Sequence, residues 1–298
     1  MRYAFIGLGH LGAPLAASLA RAGFAVTVFD RDRERAAGPV AAGARAAGSL
    51  AEAVAEADAV VTCLPSPKVS EAVLREISAQ AKPGATWIEM STNGREEILR
   101  LAGMAEAAGL QVLECPVTGG VHKAASGEIT VLVGGDAALF ERHRPALEAM
   151  GGEIFHMGPI GSAAVIKVIT NMLAFIHLVA AGEALMLAKR GGLDLAQAFH
   201  AIRASSGNSF VHETESQVIL NGSYNINFTM DLACKDLGFA MQYGREFGVP
   251  LDLAGMTAQT FIRARSLYGG DAWSSQVVKL LEDALGTDLR APGFPAEL

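Results

Sequence analysis

The chain is poor in cysteine, in aromatic residues and in charge. Of its 298 residues only three are cysteines, 6% are aromatic and 18% are charged. Cys63, Cys115 and Cys234 are widely spaced and form no CxxC pair or Cys/His cluster. This argues against a disulfide framework and against a metal site, so a reduced, cytoplasmic setting is expected. Positive charge is also scarce. A net charge of −7, with no extended Lys/Arg run, provides no basic field for nucleic acid and suits an anionic membrane surface poorly. The hydrophobic share of 51% excludes a disordered chain, and the length allows two domains with sizeable cores. The opening MRYAFIGLGH does not read as a secretory signal, because its apolar part runs straight into glycines. The most apolar segment, 163–188, holds Lys167, Asn171, His177 and Glu183. Those polar groups argue for a buried helix rather than a membrane span.

Residues 1–160 alternate short β-branched runs with Ala-rich amphipathic stretches. The runs are YAFIGL, AVTVFD, AVVTCLP, TWIEMS, QVLECPV, ITVLVGG and EIFHMG. Such alternation predicts an α/β domain with a mainly parallel sheet and helices on both faces. Ser49 with Glu52 reads as a capping box. After Gly161 the pattern changes. From Ser162 to about Arg190 there is no Pro and there are few breakers, which predicts one element of roughly 28 residues, about 42 Å long. Gly191 and Gly192 end it, and Asp194 with Gln197 reads as the next N-cap. Helices are expected over 194–204, 209–220, 229–247, 252–268 and 273–285, with no strand after 160. Residues 161–298 therefore read as an all-α domain entered by a long interdomain helix. No internal repeat or low-complexity tract is present, and the tail RAPGFPAEL is expected to be loose.

FIGLGHLG places Gly7, Leu8, Gly9, His10, Leu11 and Gly12 directly after the first strand and before a helix. GxGxxG alone is weak. Here strand, turn, helix and second strand follow in order, and Asp30 closes the second strand about 20 residues on, the context that a dinucleotide site requires. Gly7 permits the turn, Gly9 lets backbone approach a pyrophosphate, and Gly12 lets helix and strand pack closely. The helix N-terminus offers free N–H groups to phosphate. Asp30 can accept from adenosine ribose hydroxyls and would repel a 2′-phosphate, so NAD is favoured. Arg31 and Arg33 just past the strand keep NADP open. Leu64-Pro65 and Ser91-Thr92 end two further parallel strands and are expected at the same cleft, with Asn93 and Gly94 making a turn.

Lys167 and Asn171 are spaced i, i+4 and share a helix face, about 6 Å apart. The plain alternative is a snorkelling lysine beside an asparagine bonded to a loop. On a helix leaving a nucleotide domain, a lysine in a dry cleft beside a cationic nicotinamide has its ammonium form disfavoured. It can then take a hydroxyl proton while hydride leaves the same carbon. CPVTGG offers the Thr118 hydroxyl and the N–H groups of Gly119 and Gly120 as a carboxylate cradle, or simply a glycine loop. CKDLG puts Lys235 and Asp236 on an apolar helix, where a solvated ion pair is the plainer reading.

With these motifs in this order, the chain resembles the β-hydroxyacid dehydrogenases over almost its whole length. FIGLGHLGAPLA, CPVTGG with ASGEITVLVGG, GPIGSAAVIKVITN and KDLGFA carry the resemblance. It implies a Rossmann domain followed by a helical domain that commonly pairs subunits, as a homodimer or homotetramer. It implies hydride transfer between NAD and a small 3-hydroxy carboxylate or its semialdehyde. Lys167 is then the general acid/base and Asn171 its positioner. Thr118, Gly119 and Gly120 hold the substrate carboxylate. Lys235 lies near nicotinamide and substrate with Asp236 beside it, and Leu64, Pro65 and Thr92 touch the cofactor. A reductase of tartronate or succinic semialdehyde, or an imine reductase using NADPH, is the enzyme alternative. Imine reductases usually lack the lysine. A non-catalytic nucleotide-binding module is the remaining reading. Thr118 stands where the family usually has Ser, Glu114-Cys115 where it has Asp-Ala, and Ala163 where it often has Gly. His122 and Lys123 follow the glycine pair, in an exposed loop or reaching the pocket.

Overall fold

The computed structural model describes all 298 residues and divides into two compact units, Met1–Lys167 and Val168–Leu298. The strands are β1 (Arg2–Ile6), β2 (Ala25–Phe29), β3 (Arg45–Ala46), β4 (Ala59–Thr62), β5 (Thr86–Glu89), β6 (Gln111–Glu114), β7 (Val117–Thr118), β8 (Ile129–Gly135) and β9 (Gly151–Gly158). Helices of the first unit are α1 (Gly12–Arg21), α2 (Ala37–Ala41), α3 (Leu50–Val54), α4 (Pro67–Gln80), α5 (Arg95–Ala107), α6 (Val121–Ser126) and α7 (Ala137–Met150). Helix α8 (Ser162–Arg190) begins in the first unit and continues into the second, followed by α9 (Leu195–Arg203), α10 (Phe210–Asn221), α11 (Met230–Phe247), α12 (Asp252–Tyr268) and α13 (Lys279–Leu285).

The sheet order is β3-β2-β1-β4-β5-β6-β8-β7, with β9 paired to β8. The first six strands are parallel, β8 runs antiparallel to β6 and β7, and β9 is parallel to β8. Strand order reverses between β1 and β4, which is where such sheets open a ligand crevice at their carboxyl ends. Alternation along β1 sends Tyr3 and Phe5 to one face and Ala4 and Ile6 to the other. The first face is covered by α1 and α7 through Leu15, Leu19, Phe140 and Leu147. The second is covered by α3, α4 and α5 through Val54, Leu74, Ile77, Ile98 and Leu101. Ala164, in the first turn of α8, belongs to this second cluster, so the long helix starts on the core of the sheet.

The caps explain the element limits. Ser66 opens α4 with Pro67 in its first turn, and Asp136 opens α7. Ser49 accepts from the Glu52 N–H, but the Glu52 carboxylate bonds Gly48 N at 2.8 Å rather than Ser49, so only half of the expected box forms. Helix α8 has the anticipated limits, and Asp194 caps α9 by accepting from Gln197 N.

The second unit is helical around Phe175, Leu178, Phe199, Ile219, Leu237 and Phe261. Two expectations change here. Helix α8 is not buried throughout: 39% of its most apolar window is buried, and Leu173 and Leu187 are exposed. The C-terminal tail is docked rather than loose. Ala291 N donates to Leu220 O, Asn221 Nδ2 to Phe294 O, and the Phe294 ring meets Phe199 edge-on at 5.0 Å. Arg290 donates to Glu282 at 2.9 Å and to the Tyr224 hydroxyl at 2.7 Å, and the Tyr224 hydroxyl donates in turn to Glu282. Composition signalled none of this, because the tail owes its order to a buried acid on another element. R290A leaves Glu282 buried without its cation. After discounting for the partly exposed guanidinium, a loss of about 1–3 kcal/mol is expected, read as a lower denaturant midpoint at unchanged m value.

Candidate functional site

The glycine loop owes its residues to space. Gly7 has φ +93°, and a Cβ there would lie 2.4 Å from the Cys63 carbonyl oxygen at the end of β4. A Cβ on Gly12 would fall 2.0 Å from the Gly7 carbonyl oxygen, so α1 can start only on a glycine. Gly9 is different. An added Cβ would meet only Arg35 Nη1, at 3.9 Å. The backbone at Gly9 is therefore open to a ligand, and the residues fit a dinucleotide pyrophosphate laid against the start of α1. Leu8 is buried, Leu11 half-buried and His10 exposed.

Asp30 is tied to the same loop: its carboxylate accepts from Leu8 N at 2.7 Å and from Asp32 N at 2.9 Å. Each oxygen keeps a lone pair for a ribose hydroxyl. Arg31 is exposed, and Arg33 reaches the Gly48 carbonyl at 3.4 Å. The basic residue that faces the loop is Arg35, paired with Asp32 at 3.2 Å, and sequence reading did not single it out. Its signal lay in the RDRER run.

Leu64, half-buried, Pro65, exposed, and Thr92, half-buried, follow the carboxyl ends of β4 and β5. A buried relay fixes these loops. Trp87 Nε1 donates to the Thr62 hydroxyl at 2.8 Å, which donates to Glu89 at 2.5 Å. Glu89 also accepts from Ser91 N at 2.8 Å, and Ser91 Oγ accepts from Leu64 N at 2.7 Å. Burial pushes the Glu89 carboxyl up, and these donors pull it back. Asn93, expected only to form a turn, is buried and faces Glu89 without reaching hydrogen-bond geometry. The three cysteines are free thiols, and burial pushes Cys63 up to about 12, which leaves it protonated rather than nucleophilic.

Thr118 ends β7, opposite Thr130 of β8. Gly119 and Gly120 follow with φ of +123° and +89°, so the connection needs two glycines. The Lys123 methylenes lie over Gly119 and the His122 ring over Gly120, so both side chains stand over the glycine pair expected to cradle a carboxylate. Burial, then the Lys123 charge, lowers the His122 pKa.

Glu114 at the end of β6 is 1% exposed. Its Oε1 accepts from Gly161 N at 2.6 Å and Ala163 N at 2.9 Å, and its Oε2 from Ala164 N at 3.2 Å. These are orphan donors of the α8 N-terminus. Lys167, 7% exposed, lies about one turn further along α8. Asn171, on the same face of α8 and 8% exposed, donates to Asp236 Oδ2 at 2.6 Å. Asp236 is 1% exposed, and its Oδ1 faces Lys235 Nζ at 3.3 Å. The Lys235–Asp236 pair is therefore half buried rather than solvated, and Asp236 orients Asn171. Sequence reading missed the structural roles of Glu89 and Glu114. In both, an acid follows two large apolar residues at the end of a strand, a signal visible in TWIE and QVLE.

Both halves of the chain have known relatives. A sequence model of the NAD binding domain of 6-phosphogluconate dehydrogenase matches residues 2–158. A model described as NAD-binding of NADP-dependent 3-hydroxyisobutyrate dehydrogenase matches residues 161–281. The chain is 32% identical to 2-(hydroxymethyl)glutarate dehydrogenase of Eubacterium barkeri, over 97% of each chain. It is 38% identical to NAD-dependent L-serine dehydrogenase of Pseudomonas aeruginosa, over 80% of this chain and 84% of that one. The structure of Mycobacterium tuberculosis 3-hydroxyisobutyrate dehydrogenase with L-serine superposes with a TM-score of 0.83 at 34% identity, covering 94% of this chain and 99% of that one.

The buried Glu114 carboxyl yields a pH prediction. Burial pushes it from 4.5 up to about 7, against the pull of three N–H groups. The folded state therefore holds a proton that the unfolded chain has released between pH about 4.5 and about 7. Relative to E114Q, the wild type is expected to lose up to about 3 kcal/mol of stability as pH rises across that window. Denaturant titrations of both proteins at pH 5 and pH 8 measure it.

Proposed function

The chain belongs to the β-hydroxyacid dehydrogenase family and is an NAD(P)-dependent oxidoreductase, and from that premise we propose that it oxidises the primary alcohol of a small 3-hydroxy carboxylate, 3-hydroxyisobutyrate-like, to its semialdehyde, or reduces the semialdehyde. The observation that carries this reading is the pair Lys167 and Asn171 on one face of α8, with Asn171 held by buried Asp236. Bound nicotinamide supplies the hydride acceptor. Lys167 Nζ takes the hydroxyl proton as the carbon–hydrogen bond breaks and the carbonyl forms, and returns it in the reverse direction. Asn171 holds substrate and lysine in register. Thr118 Oγ1 and the N–H groups of Gly119 and Gly120 bind the carboxylate. Lys235, with Asp236 beside it, stands at the nicotinamide and substrate. Gly7 to Gly12, Asp30, Leu64, Pro65 and Thr92 hold the cofactor. Residues 1–160 form the dinucleotide-binding domain, and 161–298 the substrate and oligomerisation domain.

Substrate class draws further support from the relatives. 3-Hydroxyisobutyrate, L-serine and 2-(hydroxymethyl)glutarate, named for three of them, share one skeleton: a hydroxymethyl group on the carbon that bears the carboxylate. They differ only in the third substituent. The extra methyl of Thr118 narrows the cradle, and Lys123 adds positive charge beside it, with the His122 ring, its charged form disfavoured by burial, alongside. Asp30 favours NAD, while Arg35 over Gly9, with Arg31, leaves room for NADP. The protein is assigned to the cytoplasm, in keeping with its free thiols, and its charge of −7 speaks against nucleic-acid and anionic membrane partners. Exposed Leu253, Met256 and Leu267 on α12 and Leu187 on α8 support a homodimer or homotetramer.

K167A is expected to lower turnover about 10²- to 10⁴-fold while the dissociation constant for NAD stays within about twofold. Wild-type activity in that variant overturns the role. The substrate assignment is tested by following reduced nicotinamide absorbance over a series of 2-substituted 3-hydroxypropanoates, with NAD and NADP separately; no turnover of any member refutes the class. Light scattering after size exclusion is expected to give a multiple of the 31.0 kDa chain mass, and a stable monomer contradicts the oligomer.

A further inference from the structure

We propose that Glu114 is a positioning residue for Lys167: rooted at the end of β6, its carboxyl group holds the first turn of α8 and so fixes where that turn projects the lysine. This rests on the reading of Lys167 as the proton acceptor.

Glu114 cannot drift. Its strand is paired on both sides, with Glu114 opposite Glu89 of β5 and opposite Gly134 of β8. From that fixed point its two oxygens take three N–H groups of the helix start, those of Gly161, Ala163 and Ala164. Oε1 alone takes the two shorter bonds, so the clamp persists whether or not Oε2 carries a proton. Ala163 and Ala164 are buried and small, which lets the turn lie close against the sheet. Lys167 is four residues beyond Ala163 and three beyond Ala164, on the same side of the helix as the clamped turn. A small rotation of this turn is magnified along the four-carbon lysine side chain, and proton transfer tolerates little displacement.

Gly134 is the second observation. A Cβ there would fall 2.2 Å from Glu114 Oε1 and 2.8 Å from its Cγ. Gly134 does not adopt positive φ, so the backbone does not require glycine at that position. The space does, because it belongs to the Glu114 side chain. Glu114 is one methylene longer than the Asp usual in the family, and the missing side chain across the ladder makes room for the longer arm.

The test uses the full chain with E114A, E114Q, G134A and the double variant, assayed with NAD and 3-hydroxyisobutyrate beside K167A. E114A and G134A are expected to lower kcat about tenfold to a hundredfold with KM for NAD within about twofold. Amide hydrogen exchange over residues 161–167 is expected to accelerate in both. E114Q falls between, because its side-chain oxygen still accepts two bonds and its NH₂ opposes the Ala164 donor. The double variant is no slower than E114A alone, since the added methyl then has nothing to displace. G134A adds a single methyl group, so it carries the test if E114A does not fold. Wild-type kcat in folded E114A and G134A, with K167A inactive, overturns the positioning role, and it does so even if exchange accelerates. Full turnover in K167A instead overturns the role of the lysine, and the Glu114 assignment falls with it.

Discussion

Taking a carboxyl group out of water costs several kcal/mol unless donors replace the solvent. This chain does so at Glu89, Glu114 and Asp236, all at most 1% exposed. Each acid is used to hold something. Glu89 gathers Thr62 and the Ser91 backbone, and through Ser91 the backbone of Leu64, so the loops after β4 and β5 are tied together. Glu114 gathers the start of α8. Asp236 takes the Asn171 carboxamide and faces Lys235. The groups assigned to cofactor, proton transfer and substrate are thus set by buried acids that the reaction does not consume. A polar site built this way is costly if half-satisfied and rigid when complete.

The glycine loop follows the opposite logic, in which position is set by what is left out. Gly7 and Gly12 close the turn against the carbonyls of Cys63 and Gly7, and only then does Gly9 stand open. Asp30, just past β2, adds a crosslink by accepting from Leu8, so the acid proposed to select the ribose also stiffens the loop proposed to take the phosphates. Arg35 joins this region from the turn after β2.

Much of this was legible in the sequence, for reasons that are local. Strand–helix alternation, the glycine spacing and the uninterrupted run from Ser162 to Arg190 are written within short windows, and the sheet and α8 follow them. Lys167 stood out because a charge in an apolar run has few plain explanations. Partnerships between distant residues were less readable. Nothing near Asp236 names Asn171, and nothing near Glu114 names Gly161 to Ala164 or Gly134. The tail shows the same limit. RAPGFPAEL has the composition of a loose end, yet Arg290 meets a buried acid and a tyrosine hydroxyl, and Phe294 meets Phe199. The exposed apolar positions of α8 were hidden for a related reason, since hydropathy reports what a helix prefers and not what covers it.

The proposed chemistry depends on where the Lys167 amine lies when substrate is present. A crystal structure of the protein with NAD and a 3-hydroxy carboxylate, or a redox-inert analogue, measures it. The expected result is Lys167 Nζ within about 2.6–3.2 Å of the oxygen on the reacting carbon, with that carbon facing the nicotinamide. An amine directed to bulk water, with the substrate oxygen held by other groups, contradicts it.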